Sequence, residues 1–221
     1  MKRSEVNSAI TQAKELLAHY RWSLPYWAHW HGKDFANRSE LANHLYLHQM
    51  GWDVTDFGSG NFAQRGLTLF CLRNGIQSNP ESAPYAEKLL FIGENQETPF
   101  HYHKIKMEDI INRGGGVLMV EFRHHEATNK NKISVNVDGA IQSLSPNEPL
   151  ELAAGQSVTM TRGLYHRFYA KPGHGMVLGG EVSQVNDDSG DNYFLDELGR
   201  FSTIEENEPV LHPLWNEIVP P

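Results

Sequence analysis

Cysteine is almost missing from this chain. Cys71 is the single thiol among 221 residues, so no disulfide can close within one chain, and a structural zinc site of the usual thiolate kind is excluded. The low count fits a reducing compartment. Basic residues are also scarce: 19 Lys and Arg face 27 Asp and Glu, for a formal net charge of −8. Nucleic-acid binders concentrate Lys and Arg on one face, so no nucleic-acid partner is expected. No stretch approaches the roughly 20 apolar residues of a membrane span. Met1-Lys2-Arg3-Ser4-Glu5 leads into a polar helical pattern rather than the apolar core of a signal peptide. The expected compartment is the cytoplasm, with no membrane partner. Low-complexity linkers and long internal repeats are lacking too, which leaves one domain over residues 1–221 as the expectation.

Histidine, by contrast, is plentiful, at 12 residues. His101 and His103 are two apart, so on a β-strand they project from one face and can share an ion. Glu108 follows after four intervening residues, close enough for a turn to bring its carboxylate back to the two imidazoles. Imidazole plus carboxylate suits Mn²⁺, Fe²⁺, Co²⁺, Ni²⁺ or Zn²⁺. A lone His-x-His is weak, since His29 and His31 make another pair. What singles out the first is its place after the apolar run Leu89 to Ile92 and before Gly114, Gly115 and Gly116. A second block, Gly155, Thr161, Gly163 and His166, offers a partner for it.

Together the two blocks resemble the paired motifs of the cupin superfamily. Gly93, His101, His103, Glu108 and Gly115 fill the first; Gly155, Gly163 and His166 fill the second. Thr161 stands where the motif has proline and Ala170 where it has asparagine, and neither position is a ligand. The resemblance narrows with the flanks: Glu87-Lys88-Leu89-Leu90, Glu94 to Pro99, the block from His101 to Gly116, and the tail from Val185 to Phe201 are similar to the D-lyxose ketol-isomerase family. That resemblance implies a jelly-roll β-barrel and one divalent ion, Mn²⁺ first with Zn²⁺, Co²⁺, Ni²⁺ and Fe²⁺ as alternatives. The ligands it implies are His101, His103, Glu108 and His166. It also implies a monosaccharide substrate, D-lyxose interconverted with D-xylulose and D-mannose with D-fructose.

The rest of the chain reads as helices followed by strands. Ser4 is expected to cap a helix carrying Val6, Ile10, Ala13, Leu16, Leu17 and Tyr20 on one face, closed by Pro25. A second helix is expected from Ser39 to about Met50, with Leu41 and Leu45 inward and Gly51 ending it. His44 and His48 lie four apart on it, with no third ligand nearby in sequence, so a helix surface or subunit contact is favoured over a metal site. From Leu67 onward, short apolar runs separated by Gly, Pro, Asn and Asp give the texture of an all-β barrel or sandwich, with Asp138-Gly139 as a hairpin turn. The segment Ile105 to Asn112 has a short helical cast. The fold expected is therefore mainly β, a cupin jelly roll with N-terminal helices packed outside, residues 1–60 forming the helical extension. Tyr20, Trp22, Tyr26, Trp27, Trp30 and Phe35 in that extension are expected to pack it against the barrel or a second subunit rather than to stack on sugar. A homodimer is the expected assembly. The tail acids are expected to be mostly solvated, except any near the barrel mouth.

Aldose–ketose interconversion moves a proton between C1 and C2, and the resulting enediolate needs a counter-charge. The general base must not itself be a ligand. Lys106 is the first candidate, because an ammonium beside a cation has its pKa lowered. Glu181 is the second, because Gly179 and Gly180 before it would leave space for substrate. Both are also candidates for holding the substrate, and resemblance to the family tail adds Asp191 and Arg200 for distal hydroxyls. Two other classes share the ligand pattern. A cupin dioxygenase would need an apolar pocket, and a non-catalytic sugar-binding cupin would show eroded ligands.

Overall fold

The computed structural model describes residues 1–218. Three helices come first: α1 (Arg3–His19), the single turn α2 (Gly32–Phe35) and α3 (Ser39–Leu47). Thirteen strands follow: β1 (Gly51–Thr55), β2 (Leu67–Arg73), β3 (Tyr85–Ile92), β4 (Glu97–Tyr102), β5 (Glu108–Gly115), β6 (Leu118–Arg123), β7 (Ile133–Val137), β8 (Ala140–Leu144), β9 (Leu150–Leu152), β10 (Ser157–Met160), β11 (Tyr165–Ala170), β12 (Val177–Gln184) and β13 (Tyr193–Phe194).

The strands form two antiparallel ladders, an eight-stranded sheet ordered β1-β2-β3-β12-β5-β10-β7-β8 and a five-stranded sheet ordered β13-β4-β11-β6-β9. The sheets face one another as a jelly roll, two ladders rather than one closed cylinder. Period-two alternation explains why. In β6, Leu118, Val120 and Phe122 turn into the inter-sheet core, joined there by Ile110, Val158 and Phe168. In β2 and β3 both faces are buried, which makes their sequences continuous apolar runs. Leu67, Leu69, Leu90 and Ile92 face the core, while Phe70, Leu72, Leu89 and Phe91 face the helices. Val6, Ile10, Ala13 and Leu17 of α1 lie on that outer face together with Ala42 and Leu45 of α3. Of the extension's aromatics, Trp27 stacks on Phe70 at 5.1 Å and Trp30 meets Phe35 edge-on, while Tyr20 and Tyr26 stay exposed.

Several local expectations change. The cap of α1 is Lys2 rather than Ser4, because Lys2 is drawn into a bridge with Glu205 and its N–H is held by Glu5. Helix α3 stops at Leu47, the left-handed turn falling on Gln49 (φ 52°), and Gly51 opens β1 instead of merely ending the helix. Leu41 is only partly buried, and Ala42 takes the inward position beside Leu45. The 1–60 segment thus contributes a strand as well as helices. The helical cast of Ile105 to Asn112 is overturned: Glu108, Ile110 and Asn112 alternate inward along β5, whose pairing with β10 and β12 outweighs local propensity. Residues 97–99 open β4. The Asp138-Gly139 turn is as expected, with both residues at positive φ (49° and 91°) joining Val137 to Ala140.

Candidate active site

His101 and His166 are directly paired across β4 and β11 of the small sheet. An extra residue in β4 between the pairs His101/His166 and Thr98/Phe168 is a β-bulge, and it turns both Thr98 and His101 toward the inter-sheet space. His103 follows just past the strand end. Glu108 opens β5 in the large sheet, opposite Ser183, and so reaches the histidines from across the sandwich. All four side chains are buried, and their ligand atoms lie within 4.8 Å of one another.

The three imidazoles are oriented by backbone carbonyls. Nδ1 of His101 donates to Pro99 O at 2.9 Å, Nδ1 of His166 to Leu164 O at 2.9 Å, and Nδ1 of His103 to Asp191 O. Each therefore turns its Nε2 inward, the ring orientation that suits a metal ligand. His166 Nε2 is 3.1 Å and His103 Nε2 3.4 Å from the same Glu108 Oε1. Two imidazole nitrogens and a buried carboxylate oxygen converging on one point make a ready cation site. Burial, then His166 and His103, hold His101 well below the ordinary histidine range, in the neutral form a ligand requires. Burial alone would raise Glu108, but Lys106 and His103 outweigh it and hold the carboxyl well below its usual range. Three imidazoles and one ionised glutamate fit a single divalent ion. The pair His44 and His48 stacks ring on ring at 4.1 Å, and His48 Nδ1 is engaged by Asn74 O, so it joins no ligand group among the described residues.

Beside the ligands runs a buried chain of alternating charges. Lys106 Nζ is 2.7 Å from Glu108 Oε2 and 2.7 Å from Glu181 Oε1, and it also donates to Asn186 Oδ1 at 3.0 Å. Glu181 sits opposite Lys88 in the β3–β12 ladder, with Lys88 Nζ 3.6 Å from Glu181 and 3.5 Å from Asp188. Arg200 Nη2 then binds Asp188 at 3.2 Å and Asp53 at 2.6 Å. Burial would lower Lys106, yet Glu108 and Glu181 raise it above the ordinary lysine range. These protein groups push opposite to the lowering expected beside a cation. The glycine argument for Glu181 also changes. A side chain at Gly180 would meet Arg113, and one at Gly179 would meet Leu90 and Ile92, so both glycines admit neighbours rather than substrate.

Lys106, Glu181 and Arg200 line the pocket over the ligands. Asp191 does not. Its carboxylate accepts the backbone N–H groups of Lys104, Ile105 and Lys106, so it shapes the ligand loop instead of facing a distal hydroxyl. Sequence reasoning missed Lys88, Asp53, Asp188 and Thr98. The only hint was the position of Lys88 in an otherwise apolar run. Thr98 Oγ1, Asp188 Oδ2 and Arg200 Nη1 are buried without a hydrogen-bond partner among the described residues, and all three residues line this pocket. Such atoms mark where a hydroxyl-rich ligand would be held.

The family model described as D-lyxose isomerase matches residues 1–218. The chain belongs to the D-lyxose isomerase family. It is 42% identical over 222 residues to the D-lyxose/D-mannose isomerase of Escherichia coli O157:H7, covering 98% of each chain. It is likewise 42% identical over 224 residues to that of Serratia proteamaculans, covering 97% of this chain and 95% of the relative. This D-lyxose isomerase family member is a sugar isomerase. Its fold matches the solved L-ribose isomerases of Cellulomonas parahominis with L-psicose (TM-score 0.62, 15% identity) and of Acinetobacter sp. DL28 with L-ribose (TM-score 0.63, 14% identity), each covering 93% of this chain and 98% of the other. No helix among its described residues is long and apolar enough to cross a membrane.

Proposed function

We propose that the protein interconverts D-lyxose with D-xylulose, and D-mannose with D-fructose, by proton transfer through a cis-enediol. The observation that carries this reading is the Glu181 carboxylate placed beside Lys106 in a pocket where Thr98, Asp188 and Arg200 present polar atoms without partners among the described residues. His101, His103, Glu108 and His166 would hold one divalent ion, Mn²⁺ first, which would supply Lewis-acid stabilisation of the enediolate charge.

Glu181 is the base in this scheme. It takes the proton from C2 of the open-chain aldose and returns it to C1, while the hydroxyl proton on O2 passes to O1, giving the ketose. Lys106, surrounded by acceptors, stays protonated and fixes Glu181 and Glu108 in position. Arg200 and Asp188 offer Nη1 and Oδ2 to distal hydroxyls. Residues 1–221 act as one domain, with Arg3 of α1 tied to Glu206 and Glu217 near the other end of the chain. The enzyme is a cytoplasmic homodimer.

The dioxygenase alternative needs a wholly apolar pocket, whereas this one sets Lys88, Lys106, Glu181, Asp188 and Arg200 beside its leucine and phenylalanine wall. A storage or binding role leaves the Glu181–Lys106 pair without a purpose. The test is an assay of purified protein with Mn²⁺ against a panel of pentoses and hexoses, run beside an oxygen electrode. Ketose formation from D-lyxose and D-mannose is expected. Oxygen uptake without ketose would overturn the reading.

A further inference from the structure

The segment Asn186 to Asp191 touches the pocket at three points. Asn186 Oδ1 accepts Lys106 Nζ, Asp188 meets Lys88 and Arg200, and Asp191 holds both the His103 ring and the backbone of Lys104 to Lys106. Yet Asn186 and Asp188 lie beyond the end of β12, outside the sheet ladder. Buried backbone groups need partners from somewhere. Here side chains supply them.

Asn74, at the end of β2, is the first. Its carboxamide imitates a strand partner: Asn186 N–H donates to Asn74 Oδ1 at 2.9 Å, and Asn74 Nδ2 donates to Asn186 O at 2.9 Å. The same Nδ2 donates to His48 O at 3.0 Å, and His48 Nδ1 donates to the Asn74 carbonyl at 2.6 Å. Asn74 is thus bound to the C-terminal turn of α3 and to the pocket segment at once, with 5% of its surface exposed. Gln49 is the second. Its Oε1 accepts Asp188 N–H at 2.9 Å while its Nε2 reaches Asp187 at 3.5 Å. Gln49 holds a left-handed backbone conformation (φ 52°) that an unbranched polar residue adopts only at a cost.

The geometry points to Asn74 and Gln49 as positioning residues for the isomerase pocket, a two-point clamp by which helix α3 sets Asn186, and through it Lys106, and sets Asp188. Neither residue lines the pocket. The helical extension is then part of the catalytic apparatus as well as a cover for the sheet. This rests on the sugar-isomerase reading of the pocket only in its kinetic consequence; the clamp itself is read from the hydrogen bonds.

The experiment compares the full-length protein with Asn74→Ala and Gln49→Ala, each loaded with Mn²⁺ and checked for metal content. Backbone hydrogen–deuterium exchange should speed up in residues 186–191 in both variants and stay unchanged in β6 and β11. Turnover per metal-loaded, folded molecule on D-lyxose should fall in kcat/KM on the order of tenfold to a hundredfold, as expected when a supporting residue lets the reacting groups drift. The two losses together should be less than multiplicative, since either opens the same segment. A lowered melting temperature with kcat/KM within about twofold of the parent would overturn the inference, because an ordinary structural role does just that. Should Asn74→Ala not fold, Gln49→Ala, whose side chain is half-buried, decides the same question. If the parent itself turns over no aldose, the functional reading falls, and exchange in 186–191 still decides the clamp: unchanged exchange rejects it.

Discussion

Lys106 and Glu181, 75 residues apart in the chain, meet Nζ to Oε1 at 2.7 Å in the pocket wall. One supplies fixed positive charge and the other the free carboxylate edge, so the roles can be separated by substitution. Glu181→Gln is expected to keep the metal and lose about a hundredfold to ten-thousandfold in kcat, the range of a lost general base. Lys106→Met should also be impaired, and Lys106→Arg, which keeps the charge but cannot act as a base, should retain more activity than Lys106→Met. Equal loss in the arginine and methionine variants would return the base to Lys106.

The proton's path leaves an isotopic record. Turnover in D₂O is expected to place deuterium at C1 or C2 of the product, since a proton held on Glu181 can exchange with solvent before its return. Mass spectrometry of the product checks this. Label-free product over many turnovers rejects the enediol scheme and favours a hydride shift.

Removing one imidazole should remove the ion. His103→Ala is expected to abolish both stoichiometric metal binding and activity, measured by elemental analysis and by ketose formation. Full activity in a metal-free His103→Ala protein would sink the ligand assignment.

Stability of the metal-free protein should depend on pH through His101. Burial depresses its folded pKa below the ordinary value, so the unfolded chain binds the proton first as pH falls through about 6.5. Its contribution is present above that pH and is lost as pH drops toward the folded value. Glu108 and Asp188, also depressed in the fold, extend the loss below about pH 4. Asp53, raised chiefly by burial, works in the opposite sense. Melting temperatures in chelator should therefore decline from pH 7.5 to 3.5. A melting temperature flat across pH 7 to 5 would contradict the buried, neutral His101.

Assembly is checked by sedimentation at micromolar concentration, where about twice the 25.1 kDa chain mass is expected. A single species at the chain mass would count against the homodimer.

The sequence by itself marked out the four residues that the fold gathers into one group, because His101 and His103 are two apart and the glycine framework around Glu108 and His166 marks the paired motifs, both local properties. It also determined the helices-then-strands order and the Asp138-Gly139 turn, where period and turn chemistry are strong. Helical propensity in Ile105 to Asn112 misled, since pairing on both sides of β5 is a non-local force. Only the tertiary structure decided the rest. Lys88 becomes a pocket residue because β3 lies in register with β12 opposite Glu181. Asp188 and Asp191 are three residues apart in one acidic tail, yet the first faces the pocket and the second is consumed by backbone N–H groups. Charge and spacing cannot tell those two aspartates apart, because what separates them is which donors from distant parts of the chain arrive at each carboxylate.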